Sequence, residues 1–320
     1  MVKRIGVLTS GGDAPGMNAA IRAVTRVALN SNIEVFGIYD GYKGLVEGNI
    51  EPLTKARVGD IIDRGGTILG SARLPEFKDI EVRKKAVDQL KKRGIEAVVV
   101  IGGDGSYRGA LALTEMGINC IGLPGTIDND IASTDFTIGF DTALSTIVEA
   151  VDKLRDTSSS HHRCSIIEVM GNRCGDLAIY AGIACGAEIV VTSATGFEEE
   201  QMLERLRDLD VIRKKRHAIV IISEKMTDVH QFAKKVSLNT GFSGRATVLG
   251  HVQRGGSPTP NDRVLASKMG EKAVDLLMHG IGGQCVSIKN NEIIAVPIEE
   301  ALNIPRASRK ELQNLFERLV

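Results

Sequence analysis

Tryptophan is absent from the 320-residue chain, and aromatic residues make up only 4% of it. This scarcity disfavours the base-stacking surfaces that bind single-stranded nucleic acid. The chain has no excess charge of either sign, because Lys and Arg number 40 and Asp and Glu number 40. Neither a polyanion nor a membrane surface is therefore favoured as a partner, although local basic clusters can still bind small anions.

The cysteines number five, and no two of them have the two-residue spacing of common zinc or redox motifs. An odd number with irregular spacing disfavours a disulfide framework and favours a reducing compartment. No apolar run is long enough to cross a bilayer, and the first residues lack the apolar stretch of a signal peptide. We expect a cytoplasmic protein.

Short apolar runs, most of them β-branched, alternate along the chain with segments of helical spacing. The runs are Ile5–Leu8, Val35–Ile38, Ala97–Ile101, Cys120–Leu123, Ser165–Val169, Ile189–Val191, Ala218–Ile222 and Thr247–Leu249. The helical segments are Asn18–Leu29, Val82–Arg93, Tyr107–Met116, Thr142–Thr157, Leu177–Cys185, Glu199–Val211, His230–Asn239 and Asp262–His279. Such runs are typical of strands buried on both faces. Their alternation with helices predicts an α/β fold built on parallel sheets.

Two glycine-rich loops follow predicted strands. The first, Thr9–Asn18, precedes a helix whose N-terminus could bind phosphate, although it matches neither the Walker A nor the dinucleotide pattern. The second, Gly102–Tyr107, places Asp104 at the carboxyl end of a strand, where open α/β sheets bind ligands. Asp104 is a candidate for contact with nucleotide-bound Mg²⁺. The alternatives are a plain connection for the first loop and, for the second, a solvated turn in which Ser106 caps the helix.

A third loop, Pro124–Asp130, brings two carboxylates close together and is called the base loop below. Asp128 or Asp130 could serve as a general base on a hydroxyl or bind a metal. Turn formation by Asp and Asn is the alternative, and in isolation the two interpretations are evenly balanced. The neighbouring glycine loops favour the base.

Basic residues form further groups. Arg163, Arg245 and Arg254 lie near loop edges, and Arg254 belongs to a glycine-rich segment with His251; arginine there predicts capture of a second phosphate. Arg22 and Arg26 share a helix face, and Lys214–His217 is a basic run. Without further context, each group is interpreted as part of the solvent-exposed surface.

Together these loops closely resemble the bacterial ATP-dependent 6-phosphofructokinase family, from Arg4 to roughly Glu292. The motifs that carry the resemblance, in family order, are Thr9–Gly12, Gly102–Ser106, Pro124–Asp130, Met170-Gly171 and His251–Gly256. We expect two Rossmann-like three-layer α/β/α domains with mostly parallel sheets. The predicted domains are an ATP-binding domain of residues 1–138 and 252–305, a fructose 6-phosphate-binding domain of residues 139–251 and a C-terminal helix in 306–320.

The resemblance implies transfer of the ATP γ-phosphoryl group to the 1-hydroxyl of fructose 6-phosphate. The implied catalytic residues are Asp128 as the base, Thr126 and Arg173. The implied ATP-binding residues are Gly12, Arg73, Leu74, Gly103, Asp104, Gly105 and Ser106, with Asp104 also the Mg²⁺ contact. The implied substrate-binding residues are Thr126, Ile127, Asp128, Arg163, Met170, Gly171, Asn172, Glu224, Arg245, His251, Val252, Gln253 and Arg254.

It further implies a homotetramer in which Arg163 and Arg245 reach a neighbouring subunit's active site. It also implies an effector site for ADP or phosphoenolpyruvate. The implied effector residues are Arg22, Arg26, Arg155, Gly186, Glu188, Arg213, Lys215 and His217.

The sequence departs from the family pattern at a few positions. The family usually reads Met-Gly-Arg, whereas Asn172 and Arg173 follow Gly171 here, so the Arg is displaced by one residue. Lys225 replaces a family Gly after Glu224, and Thr192–Ala194 replaces Ile-Pro-Glu. Pyrophosphate-using relatives carry Asp and Lys where this chain has Gly105 and Gly125, which favours ATP. The alternatives are a non-catalytic metabolite-binding paralogue and another kinase with the Gly-Gly-Asp-Gly loop.

Overall fold

The computed structural model describes residues 2–320, which divide into two compact units. The first unit holds residues up to Ile127 together with Ile131–Thr142 and Arg254–Arg306. The second holds Asp128–Asp130, Ala143–Gln253 and Ala307–Val320. Met1, included in the first predicted domain, lies outside the described residues. The assignment of ATP to one unit and sugar phosphate to the other stays a prediction.

Strands and helices alternate along most of the chain. The strands are β1 (Arg4–Thr9), β2 (Glu34–Ile38), β3 (Ile50–Leu53), β4 (Ala97–Gly102), β5 (Asn119–Pro124), β6 (Arg163–Val169), β7 (Ile189–Val191), β8 (Ala218–Ser223), β9 (Ser243–Val248), β10 (Gln284–Lys289) and β11 (Glu292–Pro297). The helices are α1 (Met17–Asn30), α2 (Gly41–Glu47), α3 (Ile80–Lys92), α4 (Asp104–Glu115), α5 (Phe140–Ser160), α6 (Asp176–Cys185), α7 (Glu199–Val211), α8 (Val229–Asn239), α9 (Pro260–Met278), α10 (Ile298–Asn303) and α11 (Lys310–Leu319).

The first unit is built on a seven-stranded sheet of order β11-β10-β5-β4-β1-β2-β3. Its central pairs are parallel, and antiparallel pairing is confined to β2 with β3 and β10 with β11. Every residue of β4 is buried, as expected for a strand covered on both faces. Because ligands of such sheets bind beyond the carboxyl ends of the strands, the loops after β1, β4 and β5 are the ones to examine.

The second unit contains a four-stranded parallel sheet of order β7-β8-β6-β9. Its β8 is buried throughout and lies at the centre of an aliphatic core that includes Leu206, Val220 and Val236. The two sheets confirm the predicted α/β class with mostly parallel strands.

Sequence patterns located most of the buried strands but missed β3, β10 and β11, although residues 285–287 of β10 are buried. The predicted strand Thr247–Leu249 is shifted, because β9 is an edge strand that begins at Ser243 and mixes polar and apolar residues. Strand β3 carries an exposed Glu-Pro pair, and α2 contains glycines, so neither has a clear periodic pattern. Within residues 2–320, the apolar character and length that a membrane-spanning helix requires are found in no helix.

Candidate active site

The first glycine loop follows β1 and is closed by an arginine from later in the chain. Arg254 donates from Nη1 to the carbonyl of Asp13 at 3.1 Å. A Cβ added to Gly12 would lie 2.4 Å from the same Nη1 atom. A side chain at position 12 would therefore displace the guanidinium from this contact. The structure thus brings together Gly12, predicted to bind ATP, and Arg254, predicted to bind the sugar phosphate.

The second glycine loop joins β4 to α4 and is open on its outer side. Gly103 and Gly105 have open space where a Cβ would project, and the side chain of Asp104 is exposed in the first turn of α4. Helix N-termini offer unpaired N–H groups and favour anions. The open backbone around Asp104 therefore has room for a phosphate group.

Ser106 does not cap α4, since the helix begins at Asp104 with Gly103 as its N-cap. Its hydroxyl instead donates to the carbonyl of Ser10 at 3.1 Å, and its own carbonyl accepts from the buried Tyr42 hydroxyl at 2.6 Å. Ser106 thus ties the two glycine loops to each other. Of the remaining residues predicted to bind ATP, Arg73 is exposed and Leu74 packs against the hydrophobic core.

The described side chains around the glycine loops do not form a site that could bind a metal ion without a substrate. Among residues 2–320, no three His, Cys, Asp or Glu side chains cluster closely enough to hold one. Mg²⁺ in phosphoryl-transfer sites keeps several waters and binds through one or two carboxylates plus substrate phosphates. The single exposed carboxylate of Asp104 fits that second case.

The base loop is buried and held by hydrogen bonds at the end of β5. Thr126 donates its N–H to the carbonyl of Ile138 at 3.1 Å, and its own carbonyl accepts from the Thr137 hydroxyl at 2.6 Å. Ile127 is fully buried, and Asp128 is only 8% exposed. A solvated turn would expose these side chains, so the structure favours a fixed carboxylate over a plain surface turn.

Asn129, next to Asp128, has a left-handed backbone with φ of 51°. Its Nδ2 donates to Oδ2 of Asp176 at 2.9 Å, and Asp176 also accepts from Nη2 of Arg309 at 2.8 Å. Sequence reasoning missed both Asp176 and Arg309. No local signal could have found the pair, because the two residues are 133 positions apart.

Four of the residues predicted to bind the sugar phosphate, all in the second unit, are hydrogen-bonded in pairs near the ends of β6 and β8. Met170 donates its N–H to Oε1 of Gln253 at 3.1 Å, and Asn172 donates its N–H to Oε1 of Glu224 at 2.6 Å. These bonds hold the segment after β6 to the residues around it.

The two departures from the family pattern in this region are neighbours. Lys225 donates from Nζ to Oδ1 of Asn172 at 2.9 Å. The Arg173 side chain is exposed, and its carbonyl accepts from the Ser193 hydroxyl at 3.1 Å. The cation next to Asn172 is therefore Lys225.

Arg163 and Arg245 lie on the adjacent strands β6 and β9, where Arg245 is opposite Ser165. Arg163 donates from Nη1 to the Thr157 hydroxyl at 3.2 Å, and the Arg245 side chain is exposed. His251 and Val252 are also exposed, in a short turn after β9.

A cavity of about 370 Å³ in the second unit gathers several of the predicted effector residues, among them Gly186, Glu188, Arg213 and Lys215. Glu188 is buried and accepts from Lys215 Nζ and from the Ile219 N–H, each at 2.6 Å. Leu319 and Val320 complete part of the wall.

Of the other predicted effector residues, Arg155 and His217 lie near this group, whereas Arg22 and Arg26 belong to the first unit. Arg155 donates to the carbonyl of Cys185. Partial burial lowers the pKa of His217, opposed by the charge of Glu188 and supported by those of Arg155 and Lys215. Arg22 and Arg26 lie on α1 of the first unit, and the Nε atom of each is buried without a hydrogen-bond partner.

Comparison with known proteins places this site in a family. The phosphofructokinase family model matches residues 4–277. The chain is 58% identical over 320 residues to an ATP-dependent 6-phosphofructokinase of Vibrio cholerae, with all of both chains covered. It is 59% identical over 316 residues to one of Tolumonas auensis, covering 98% of each. A solved phosphofructokinase structure from Saccharomyces cerevisiae is similar, with a TM-score of 0.87 at 34% identity. The match covers 99% of this chain and 47% of the yeast chain, so this chain spans about half the length of the yeast chain. The chain belongs to the phosphofructokinase family.

Proposed function

We propose that the protein is an ATP-dependent 6-phosphofructokinase that phosphorylates the 1-hydroxyl of fructose 6-phosphate in glycolysis. Relatives of that name match it over its full length. The observation in the structure that carries the proposal is the base loop, where Asp128 is buried on a segment held by backbone hydrogen bonds. A binding-only protein has no need for such a fixed carboxylate.

In the proposed mechanism, Asp128 accepts the proton of the sugar's 1-hydroxyl while the hydroxyl oxygen attacks the γ-phosphorus of ATP. The bond from the γ-phosphorus to the β,γ-bridging oxygen breaks, and ADP leaves. Phosphoryl transfer depends mainly on positioning and charge neutralisation. Thr126 orients the reacting groups from the same loop. Asp104 would hold the Mg²⁺ that accompanies ATP, and the ion would supply positive charge at the phosphates. The backbone N–H groups at the start of α4 add favourable dipoles.

ATP is proposed as the donor because of Gly105. Open space lies where its Cβ would project, and an Asp side chain there would place a negative charge beside the nucleotide phosphates. At Gly125 a steric explanation is sufficient, since a Cβ would lie 2.9 Å from Cγ2 of Ile101. The argument for ATP from the residues therefore depends on Gly105.

Recognition of fructose 6-phosphate is assigned to the segment after β6, to Glu224 and to the arginines. Asn172 and Arg173 stand where the family has a single Arg, and Arg173 stays our proposed catalytic arginine. The adjacent Lys225 adds a cation to the same region.

A homotetramer with shared active sites is proposed from Arg163 and Arg245. Strand β9, which carries Arg245, is an edge strand. Val248 on that strand is 47% exposed and Val252 beyond it is 62% exposed. Exposed apolar residues beside an unpaired edge favour contact with another chain.

The cavity around Glu188 is the proposed effector site for ADP or phosphoenolpyruvate. Arg213 and Lys215 supply positive charge in its wall. Calorimetric titration of ADP tests it: Lys215→Met is expected to weaken binding about tenfold, because one charge-assisted contact is lost. Unchanged ADP affinity in that variant would remove the assignment.

The main experiment measures fructose 1,6-bisphosphate formation in a coupled assay, with ATP and with pyrophosphate in parallel. Product is expected with ATP and not with pyrophosphate. We also propose that the enzyme is located in the cytoplasm. A folded protein that makes no product with either donor would show that the proposed function is wrong. Product with pyrophosphate alone would reverse the donor assignment.

A further inference from the structure

The base loop is bonded to the C-terminal segment through a buried carboxylate. Asp176, in the first turn of α6, has a side chain that is only 2% exposed. One of its oxygens accepts from Asn129, the residue after the proposed base. Both of its oxygens accept from Nε of Arg309, at 3.2 and 3.1 Å, and Oδ2 also accepts from Nη2 at 2.8 Å. These residues all belong to the second unit.

Resting on the proposed function, we propose that Asp176 and Arg309 are positioning residues for the catalytic base. They set the geometry of Asp128 through Asn129 and touch neither substrate nor the reacting atoms. This role gives the segment around α11 a part in the phosphoryl-transfer step.

Backbone strain explains why Asn129 needs such support. Its φ of 51° lies in the left-handed region, which non-glycine residues adopt at a cost. The residue is only 2% exposed, so its amide must be hydrogen-bonded to remain there. The bond to Asp176 meets that need, and it fixes the peptide that follows Asp128.

Charge explains why Asp176 needs Arg309. A carboxylate this deeply buried is expensive without a cation, and breaking such a pair by removing one partner leaves an uncompensated charge. The guanidinium supplies two nitrogens to the carboxylate, a fixed geometry that an ammonium group cannot reproduce. The N-terminus of α6 adds a favourable dipole. Asp176 is thereby held in one orientation toward Asn129.

The geometry of Arg309 depends in turn on α11, which begins at the next residue and packs on α6. Phe316 is buried, and a Cβ on Gly182 of α6 would lie 3.6 Å from its ring. Arg205 and Glu317 form a second, more exposed ion pair at 3.5 Å. The Arg205–Glu317 pair docks the same helix without reaching Asp176, so it provides a matched control.

The test compares Asp176→Asn, Arg309→Met, Arg309→Lys and the control Glu317→Gln by steady-state kinetics and thermal unfolding. We expect Asp176→Asn and Arg309→Met to lower kcat roughly 10–100-fold, the order of effect that a misplaced catalytic group produces. KM for ATP should stay within about twofold, since the proposed ATP residues lie in the first unit. Arg309→Lys should recover part of the loss because it keeps the charge, and Glu317→Gln should retain wild-type kcat.

A second measurement does not require Asp176→Asn to fold. Asn129→Gly permits the left-handed backbone and removes the amide that reaches Asp176. Combined with Arg309→Lys, it should lower kcat no further than the worse single variant, because both act through the same bonds. Multiplicative effects would overturn the proposal. So would wild-type kcat in folded Asp176→Asn and Arg309→Met, or an equal loss of kcat in Glu317→Gln.

Asp128→Ser separates this proposal from the proposed function. If that variant is inactive while the Asp176 and Arg309 variants keep wild-type turnover, only the positioning role is wrong. If Asp128→Ser keeps its turnover, the assignment of the base itself is wrong, and the positioning role fails with it.

Discussion

The loops proposed to bind the nucleotide and those proposed to act on the sugar differ in how they are built. Around Gly103 and Gly105 the protein presents backbone and open space, with one exposed carboxylate at Asp104. Asp128 lies instead in a buried setting, where its neighbour Asn129 is already hydrogen-bonded to Asp176. The first region leaves room for a ligand, and the second holds a carboxylate in a fixed position.

The contrast follows from what each ligand offers. A nucleotide's phosphates can be bound by N–H groups and a helix dipole, provided that no side chain obstructs them. A reacting hydroxyl needs a base held at a fixed distance, and a buried carboxylate holds its place only if its surroundings are rigid. Substitutions in the open loop around Gly105 should therefore act through charge placed beside the phosphates, and substitutions in the base loop should act through loss of the base or of its fixed position.

The largest expected effect is at the base itself. Asp128→Ser should lower kcat about 10²–10⁴-fold, the usual contribution of a general base, with little change in calorimetric ATP affinity. Asn129→Asp, next to it on the same loop, is not a suitable control, because a second carboxylate would face Asp176. Near-normal turnover in Asp128→Ser would contradict both the base assignment and the contrast drawn above.

Gly105→Asp tests the open loop. The side chain enters free space, so folding should be unaffected, but its charge lies beside the proposed phosphate site. We expect KM for ATP to rise roughly 10–100-fold, since like charges placed together cost several kcal/mol at buried contacts and less at exposed ones. Gly105→Asn is the matched neutral control. Equal effects of Asn and Asp would show that size, and not charge, excludes the donor.

Gly125→Ala tests a glycine of the same unit that is packed. Its Cβ would lie 2.9 Å from Ile101 and 3.1 Å from the methyl carbon of Met17. Overpacking of this kind costs about 1–3 kcal/mol. Denaturant unfolding should show that loss, while Gly105→Ala should leave the free energy of unfolding nearly unchanged. A stable Gly125→Ala would mean that β5 can shift to make room.

The smallest expected effect concerns Asp262, a buried carboxylate of the first unit that accepts three hydrogen bonds. Burial raises the pKa of Asp262 to about 6, although the Thr142 hydroxyl and the N–H groups of Gly139 and Thr142 donate to it. Since the folded pKa exceeds the unfolded value, the native state binds the proton more tightly. Its contribution to stability is present at low pH and is lost as pH rises through about 6.

As the pH rises from 5 to 7, loss of the proton from Asp262 should therefore lower the free energy of unfolding by about 1 kcal/mol. In Asp262→Asn this part of the pH dependence should disappear, as measured by urea unfolding at each pH. An unchanged pH profile would show that the hydrogen bonds to the carboxylate offset its burial.

Local sequence patterns predicted most of the buried strands, but not β10, and they predicted the glycine loops, because these features depend on neighbouring residues. Ile189–Val191 was predicted with its observed bounds, and β4 and β5 were each predicted to within two residues. The interactions that fix the base loop depend instead on contacts between distant parts of the chain. Asp176 resembles any acidic residue in the first turn of a helix, and Arg309 lies beyond the motifs that carried the family resemblance. Only the folded chain shows that they meet.

The packing around Gly125 limits the order in which a phosphofructokinase of this kind could change its phosphoryl donor during evolution. An acidic residue at position 105 meets open space and can arise by a single substitution. A lysine at position 125 requires that the side chains of both Ile101 and Met17 make room, or that β5 moves. Lineages that change donor should therefore have acquired the acidic residue at position 105 first. Reconstructed ancestors that combine that acidic residue with an unchanged Gly125 should be easier to fold than those with the reverse combination.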